Sequence, residues 1–291
     1  MTRILLIANP AAGGGKVPKL LPSVRRKLDT LGIQHRTGLT AALSDAGRMT
    51  DEALDQGEIP VAFSGDGVAG VVARAASYHP NGVFGVLPGG TGNDFCGHVG
   101  ISDDPVEACE VLANGIPTTI DLGEANGVRF LGIASLGFDS LANESANSAP
   151  RFLGGGVYIW GAISALVRWK PTRFDVVADG RPFDFTGWSL LCANTSRYGG
   201  GMLIAPEASI TDGQLDLIYT LQTSRARFIR MFPKVFKGTH IEDDEVVTGH
   251  AREVSITADR PFTIYADGDP LTELPADIRI VPGAVKVLLP K

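Results

Sequence analysis

The chain has 291 residues, a net charge of −6, 44% hydrophobic and 20% charged residues, a balance that excludes disordered and fibrous classes and leaves room for two domains. The acidic balance excludes bulk binding to nucleic acid, which needs positive charge. No apolar run reaches the ~18 residues of a membrane span, and Cys96, Cys109 and Cys192 lie too far apart for a disulfide framework or a zinc cluster. The expectation is a soluble, cytoplasmic protein.

In chain order, Ile4 to Ala8 is an unbroken apolar run ending at Asn9-Pro10, as in a buried parallel strand. Leu20, Leu21, Val24, Leu28 and Leu31 keep helical spacing up to the stop at Gly32. Gln34 to Leu39 reads as a second strand, and Ser44 as the cap of a helix carrying Ala46, Met49 and Ala53. Val61 to Ser64 is a third strand, followed by a helix face of Val68, Val71, Val72, Ala75 and Ala76. Val83 to Leu87 is a fourth, and Asp103-Asp104 opens a short helix closed by Gly115. Such alternation predicts a three-layer α/β domain on a parallel sheet, with its binding site beyond the carboxyl ends of the strands. Beyond Asp121 the pattern becomes Phe174 to Ala178, Trp188 to Ala193, Leu215 to Leu221, Val254 to Ala258, Phe262 to Ala266 and Ile278 to Leu289, strand-like runs separated mostly by Gly, Asp or Pro. This predicts a largely antiparallel β domain, interrupted by an apolar helix within Gly154 to Val167.

Glycine, at 36 residues, is about 12% of the chain against ~7% on average, and it clusters at the expected strand ends. Gly13-Gly-Gly-Lys16 lacks the first glycine and the hydroxyl residue of a Walker A loop, yet it can offer backbone N–H groups and a lysine to phosphate. Gly65-Asp-Gly-Val-Ala-Gly70 has the form of a dinucleotide fingerprint, but Leu87-Pro-Gly-Gly stands where the ribose-binding acid belongs. Pro88-Gly-Gly-Thr-Gly-Asn-Asp94 repeats the design one strand over. Two such loops side by side predict a floor on which backbone approaches a polyphosphate. On spacing alone Ala205-Pro to Asp216 reads first as an ordinary Asp-Gly turn, although its oxygens also suit Mg²⁺ or Ca²⁺. Asp267-Gly-Asp-Pro270 places a carboxylate at a strand end, where a general base is held rigidly, or is merely a turn. The five histidines form no ligand cluster, and no G-x-S-x-G elbow is present.

Taken in order, Asn9-Pro with the glycines to Lys16, Thr40 ahead of Asp45-Ala46, Ser64-Gly-Asp-Gly, Pro88-Gly-Gly-Thr-Gly-Asn-Asp-Phe95, Ala205-Pro with Asp212-Gly-Gln-Leu-Asp216, and Asp267-Gly-Asp-Pro270 resemble the diacylglycerol kinase catalytic-domain family, which includes sphingosine and ceramide kinases. The resemblance spans nearly the whole chain. It implies an ATP-dependent lipid kinase with an α/β domain over residues 1–122 joined by 279–291, an antiparallel β-sandwich over 123–278, and ATP in the cleft between them. By position, Asn9, Lys16, Thr40, the loop Ser64, Gly65, Asp66, Gly67, Val68, Ala69 and Gly70, and Gly90, Thr91 and Asn93 would hold ATP. Asp212, with the backbones of Ser209 and Gln214, would hold Mg²⁺. Asp269 takes the place of the family's proton-accepting glutamate, and Asp66 is a second candidate for that role or for metal binding.

This chain departs from the family's usual loop with Ser64 for glycine, Val68 for threonine, Gly70 for asparagine and Val71 for glutamate; the serine is similar to the sphingosine kinase version. The apolar stretch Leu153 to Val167 would cover acyl chains, and Arg151, Arg168, Lys170 and Arg173 would meet a membrane surface transiently, with a homodimer as the candidate assembly. The alternatives are a lipid binder without catalysis on the same fold, a dinucleotide-binding oxidoreductase, and a relative of NAD kinases.

Overall fold

The computed structural model describes residues 3–147 and 157–291. By contact the chain divides into two compact units, residues 1–121 with 282–291, and residues 122–281.

In the first unit, β1 (Arg3–Ala8), β2 (Gln34–Leu39), β3 (Ile59–Ser64) and β4 (Val83–Pro88) form a parallel sheet in the order β4-β3-β1-β2. The last residues of the final strand, β17 (Ala276–Leu289), extend it, with Lys286 and Val287 parallel to Val83 and Phe84. Ile4, Leu6, Ile7, Val61, Phe63, Phe84 and Leu87 are fully buried, as strands covered on both faces require. The path steps outward from β1 to β2, then returns past β1 to β3 and β4. Right-handed crossovers therefore place α1 (Val17–Thr30) on one face and α2 (Leu43–Asp55) with α3 (Asp66–Ser77) on the other. Accordingly α2 packs on α3, while α1 packs on α5 (Pro105–Asn114). A short α4 (Asp94–His98) follows β4, and Asp104 caps α5 by accepting from the Val106 amide at 2.7 Å.

Ser44 does not cap α2. It lies inside the first turn, and the Asp45 carboxylate takes the amides of Ala41 and Ala42 at 2.8 and 2.9 Å. Those two bonds, Ala42 first, hold the Asp45 carboxyl below the ordinary carboxylate range.

The second unit is an antiparallel β-sandwich. Strands β8 (Thr172–Ala178) and β14 (Glu253–Ala258) join the start of β17 on one side, while β7 (Ile133–Gly137), β15 (Thr263–Ala266) and β16 (Asp269–Glu273) continue the sheet on the other. Between them runs β9 (Arg181–Ala193), which pairs with β8 through its first half and with β7 and β12 (Leu215–Leu221) through its second. Strand β13 (Val246–Ala251) edges β12. Successive β9 side chains serve two cores. Trp188, Leu190 and Cys192 join an aromatic core with Phe138, Trp169, Phe174 and Phe262, while Leu191 and Ala193 join a smaller one with Ile133, Met231 and Val235.

Several elements have no counterpart in the sequence reading: β5 (Ile116–Ala125), β6 (Val128–Phe130), β7, α6 (Phe138–Asn147) and α8 (Arg225–Val235). The expected apolar helix is α7 (Val157–Arg168); Arg151 and the stretch from Leu153 to Gly156 lie outside the described residues. Strands β10 (Arg197–Tyr198) and β11 (Met202–Leu203) form a small separate ribbon.

Candidate active site

In a sheet ordered β4-β3-β1-β2 the chain reverses direction between β1 and β3, and the crevice beyond the carboxyl ends at such a point is where ligands bind. Three segments leave the sheet there. After β1, Asn9 Oδ1 accepts from the Ala11 amide at 2.9 Å and a 3₁₀ turn over Ala12–Gly14 follows, with Gly13, Gly14 and Gly15 all at positive φ. After β3, Gly65 is the N-cap of α3, so Asp66 and Gly67 stand in its first turn. After β4, Asn93 at φ 51° binds the Gly90 amide through Oδ1 at 2.8 Å and closes the loop.

The glycines are there because these segments touch backbone to backbone. A Cβ on Gly13 would meet the Gly89 carbonyl at 2.6 Å, one on Gly89 the Ser64 amide nitrogen at 3.0 Å, and one on Gly90 the Gly65 Cα at 2.5 Å. The Gly89 amide donates to the Ser64 carbonyl at 2.8 Å, locking the last two segments together. The result is a patch made of main chain, opening on the N-terminus of α3, whose unpaired amides and dipole favour an anion.

Asp66 sits in that patch. Its Oδ1 accepts from the Phe95 amide at 3.1 Å, and burial first, then the neighbouring Asp94 carboxylate, push its carboxyl up. Ser64 is buried at the end of β3, and Thr40 is buried where its amide donates to the Ala8 carbonyl at 3.0 Å. Lys16 and Thr91 are exposed. Val68, Ala69 and Gly70 are different: they are buried inside α3, and the Ala69 amide is spent on the Gly65 carbonyl at 3.2 Å. Within this loop the groups left to face a ligand are those from Ser64 to Gly67 and the amide of Val68.

The second unit holds three further groups. Asp267 (φ 54°) and Gly268 (φ 89°) form the two-residue turn between β15 and β16, the Asp-Gly conformation that suits strand twist. Asp267 accepts from the Leu131 and Gly132 amides at 2.9 and 2.7 Å, so it has a structural task, while Asp269 stands half-buried at the first position of β16. Around Asp212, the Gln214 amide donates to Oδ1 at 3.0 Å, Ser209 Oγ lies 3.3 Å from Thr211 Oγ1, and Gly213 turns at φ 71°. Just beyond, Asp216 is buried on β12. Desolvation, then the charges of Asp212 and Glu207, push its carboxyl up to about 6 against the opposing pull of His250.

The remaining group was missed at the sequence level. Asp139, in the first turn of α6, is half-buried and pushed upward by desolvation; Tyr198 donates to its Oδ1 at 2.6 Å and Ser189 also bonds to it. Gly-Phe-Asp at a strand-to-helix junction was the available signal.

Among the described residues no cluster of three His, Cys, Asp or Glu side chains forms a metal cage. Mg²⁺ is usually held by one or two carboxylates plus the phosphates of its substrate. The Asp66 and Asp94 pair, and Asp212 beside Asp216, fit that mode, because in each case one acid already raises its neighbour.

Residues 3–125 match the model of the diacylglycerol kinase catalytic domain, and residues 132–289 that of the YegS C-terminal NAD kinase beta sandwich-like domain. The chain belongs to the diacylglycerol kinase catalytic-domain family. A diacylglycerol kinase of Mycobacterium tuberculosis (strain CDC 1551 / Oshkosh) is 34% identical over 99% of this chain and 96% of its own length. One from Bacillus subtilis (strain 168) is 29% identical over 100% of this chain and 97% of its own. The crystal structure of a diacylglycerol kinase from Bacillus anthracis str. Sterne shares the fold, with a TM-score of 0.76 at 18% identity over 99% of this chain and 97% of that one. Family membership makes this chain a lipid kinase, a phosphotransferase.

Proposed function

We propose that the protein transfers the γ-phosphoryl group of ATP to a hydroxyl of a diacylglycerol-like lipid. The observation that carries this reading is the main-chain patch of Gly13, Gly65, Gly89 and Gly90 at the N-terminus of α3, within a family of lipid kinases. Asn9 fixes the first loop, Asn93 the third, and Lys16 supplies a positive charge beside the amides that would receive the phosphates. Ser64, Gly65, Asp66, Gly67 and Thr91 complete the nucleotide side, and Thr40 closes it by β2. Mg²⁺ on Asp66, with a second ion on Asp212 and the backbones of Ser209 and Gln214, would neutralise charge on the phosphates and the loop.

Asp269 accepts the proton of the lipid hydroxyl as its oxygen bonds to the γ-phosphorus, and the bond from that phosphorus to the β-bridging oxygen breaks with ADP leaving. The catalysis is mostly positioning and charge neutralisation. Diacylglycerol, ceramide and sphingoid bases all present the required hydroxyl on an apolar body, and the work is done at a membrane surface.

The test is phosphate transfer from γ-labelled ATP with Mg²⁺ to diacylglycerol, monoacylglycerol, ceramide and sphingosine in mixed micelles. A labelled lipid names the acceptor. A protein that binds no ATP overturns the reading, and one that binds ATP and lipid without transfer becomes a lipid binder on a kinase fold.

A further inference from the structure

Helix α8 carries two apolar faces. Phe228, Met231 and Val235 point inward, with Phe228 stacked on Trp188 at 4.1 Å between centroids and Met231 and Val235 buried. On the adjoining face Ile229, Phe232 and Phe236 repeat at helical spacing and are 53%, 36% and 51% exposed. Phe232 and Phe236 meet edge to face at 6.0 Å, so the pair is already arranged in the open. The patch continues past the helix. Arg225 donates to the carbonyls of Val167 and Trp169 at 3.3 and 3.2 Å, bringing the end of α7 against the start of α8, and Val167 is 70% exposed.

Charge selects the occupant. From Thr223 to Gly238 the chain has five cations, Arg225, Arg227, Arg230, Lys234 and Lys237, and no acid, in a protein of net charge −6. Arg227 and Lys234 are engaged by Asp243 and Glu245. Arg230 and Lys237 are exposed, border the apolar stripe, and form no ion pair among the described residues. A second copy docking the same face on itself would set cation against cation. An apolar stripe with aromatic rings and a basic border is what an anionic lipid interface accepts.

We infer that the outer face of α8, continued by Val167, seats the protein on an anionic membrane. Ile229, Phe232 and Phe236 enter the headgroup layer while Arg230 and Lys237 meet lipid phosphates. The lipid-kinase reading supplies the reason for the visit, but the docking surface is tested without it. Full-length protein is sedimented with phosphatidylcholine vesicles and with vesicles that also contain phosphatidylglycerol. Wild type binds the second kind, and salt weakens that binding. Phe232→Ser with Phe236→Ser lowers vesicle affinity about 100-fold, and Arg230→Glu with Lys237→Glu lowers it by at least about 30-fold. Both variants keep wild-type phosphoryl transfer to a short-chain acceptor dispersed in detergent. Wild type that ignores anionic vesicles, variants that bind as tightly as wild type, or a dimer that the same substitutions dissolve, would each overturn the inference. Vesicle binding with no transfer to any lipid would instead remove the kinase reading and leave the docking surface standing.

Discussion

In the first unit Gly13, Gly65, Gly89 and Gly90 bring main chain against main chain, and what they offer a ligand is amide hydrogen and a helix dipole. In the second unit the prominent polar groups are carboxylates: Asp139 held by Tyr198, Asp216 beside Asp212 and Glu207, Asp267 holding two amides and Asp269 on the strand after it. The first arrangement is mostly main chain with little freedom to rearrange, and the charge it desolvates is the carboxyl of Asp66. The second stores acids in an apolar setting, so it responds to pH and to cations. Phosphates suit the former and proton transfer the latter.

The largest expected effect separates the two aspartates of one turn. Asp269→Asn should lower turnover roughly 10²- to 10⁴-fold, measured by labelled-phosphate transfer, while leaving nucleotide affinity and the melting temperature in place. Full activity in that variant would move the base to Asp66. Next comes the glycine patch. Gly90→Ala puts a methyl against the Gly65 backbone without any positive-φ strain and should weaken nucleotide binding by at least about tenfold in calorimetry. Gly14→Ala is the control, since φ 66° makes it strained but nothing lies within 4 Å; its nucleotide affinity should hold and only stability fall, by ~1 kcal/mol. Equal loss of affinity in both would mean the loops need flexibility rather than close approach.

Asp267→Asn leaves the Leu131 and Gly132 amides with a weaker acceptor, and urea unfolding should show a loss of ~2 kcal/mol. The smallest effect is at Asp216. Its folded-state pKa is raised to about 6, so its contribution is most favourable below the unfolded value and is lost as pH rises through 6. Asp216→Asn should therefore stabilise the protein by ~1 kcal/mol at about pH 7.5 and change little near pH 4. Mg²⁺ should raise the melting temperature of wild type at the higher pH and do less for the variant. A variant less stable than wild type at neutral pH would contradict the account of Asp216.

The sequence showed the first unit more clearly than the second, for physical reasons. A parallel strand buried on both faces, such as Ile4 to Ala8, must be apolar throughout, and a close backbone approach must be glycine; both leave marks within a few residues. Asp139 leaves only the short Gly-Phe-Asp mark at a strand-to-helix junction. What makes it unusual is desolvation beside Ser189 of β9 and Tyr198 of the Arg197–Tyr198 strand, supplied by tertiary structure. Helix α8 escaped because its basic residues and Pro233 blur the periodicity that Phe228, Met231 and Val235 keep. Ser44 gave a plausible cap, yet a carboxylate one residue later takes two amides where a hydroxyl takes one. Val68, Ala69 and Gly70 matched the loop motif by position but belong to the helix that the motif opens.

Strand β17 gives residues up to 281 to the second unit and the rest to the first, beside β4. In order of synthesis the glycine loops and strands β1 to β4 precede the whole second unit, yet β4 gains its β17 partner only when Lys286 and Val287 have followed that unit. The unit begun before the other is completed after it. A nascent chain halted before residue 282 would carry the glycine loops on a sheet whose β4 still lacks its β17 partner.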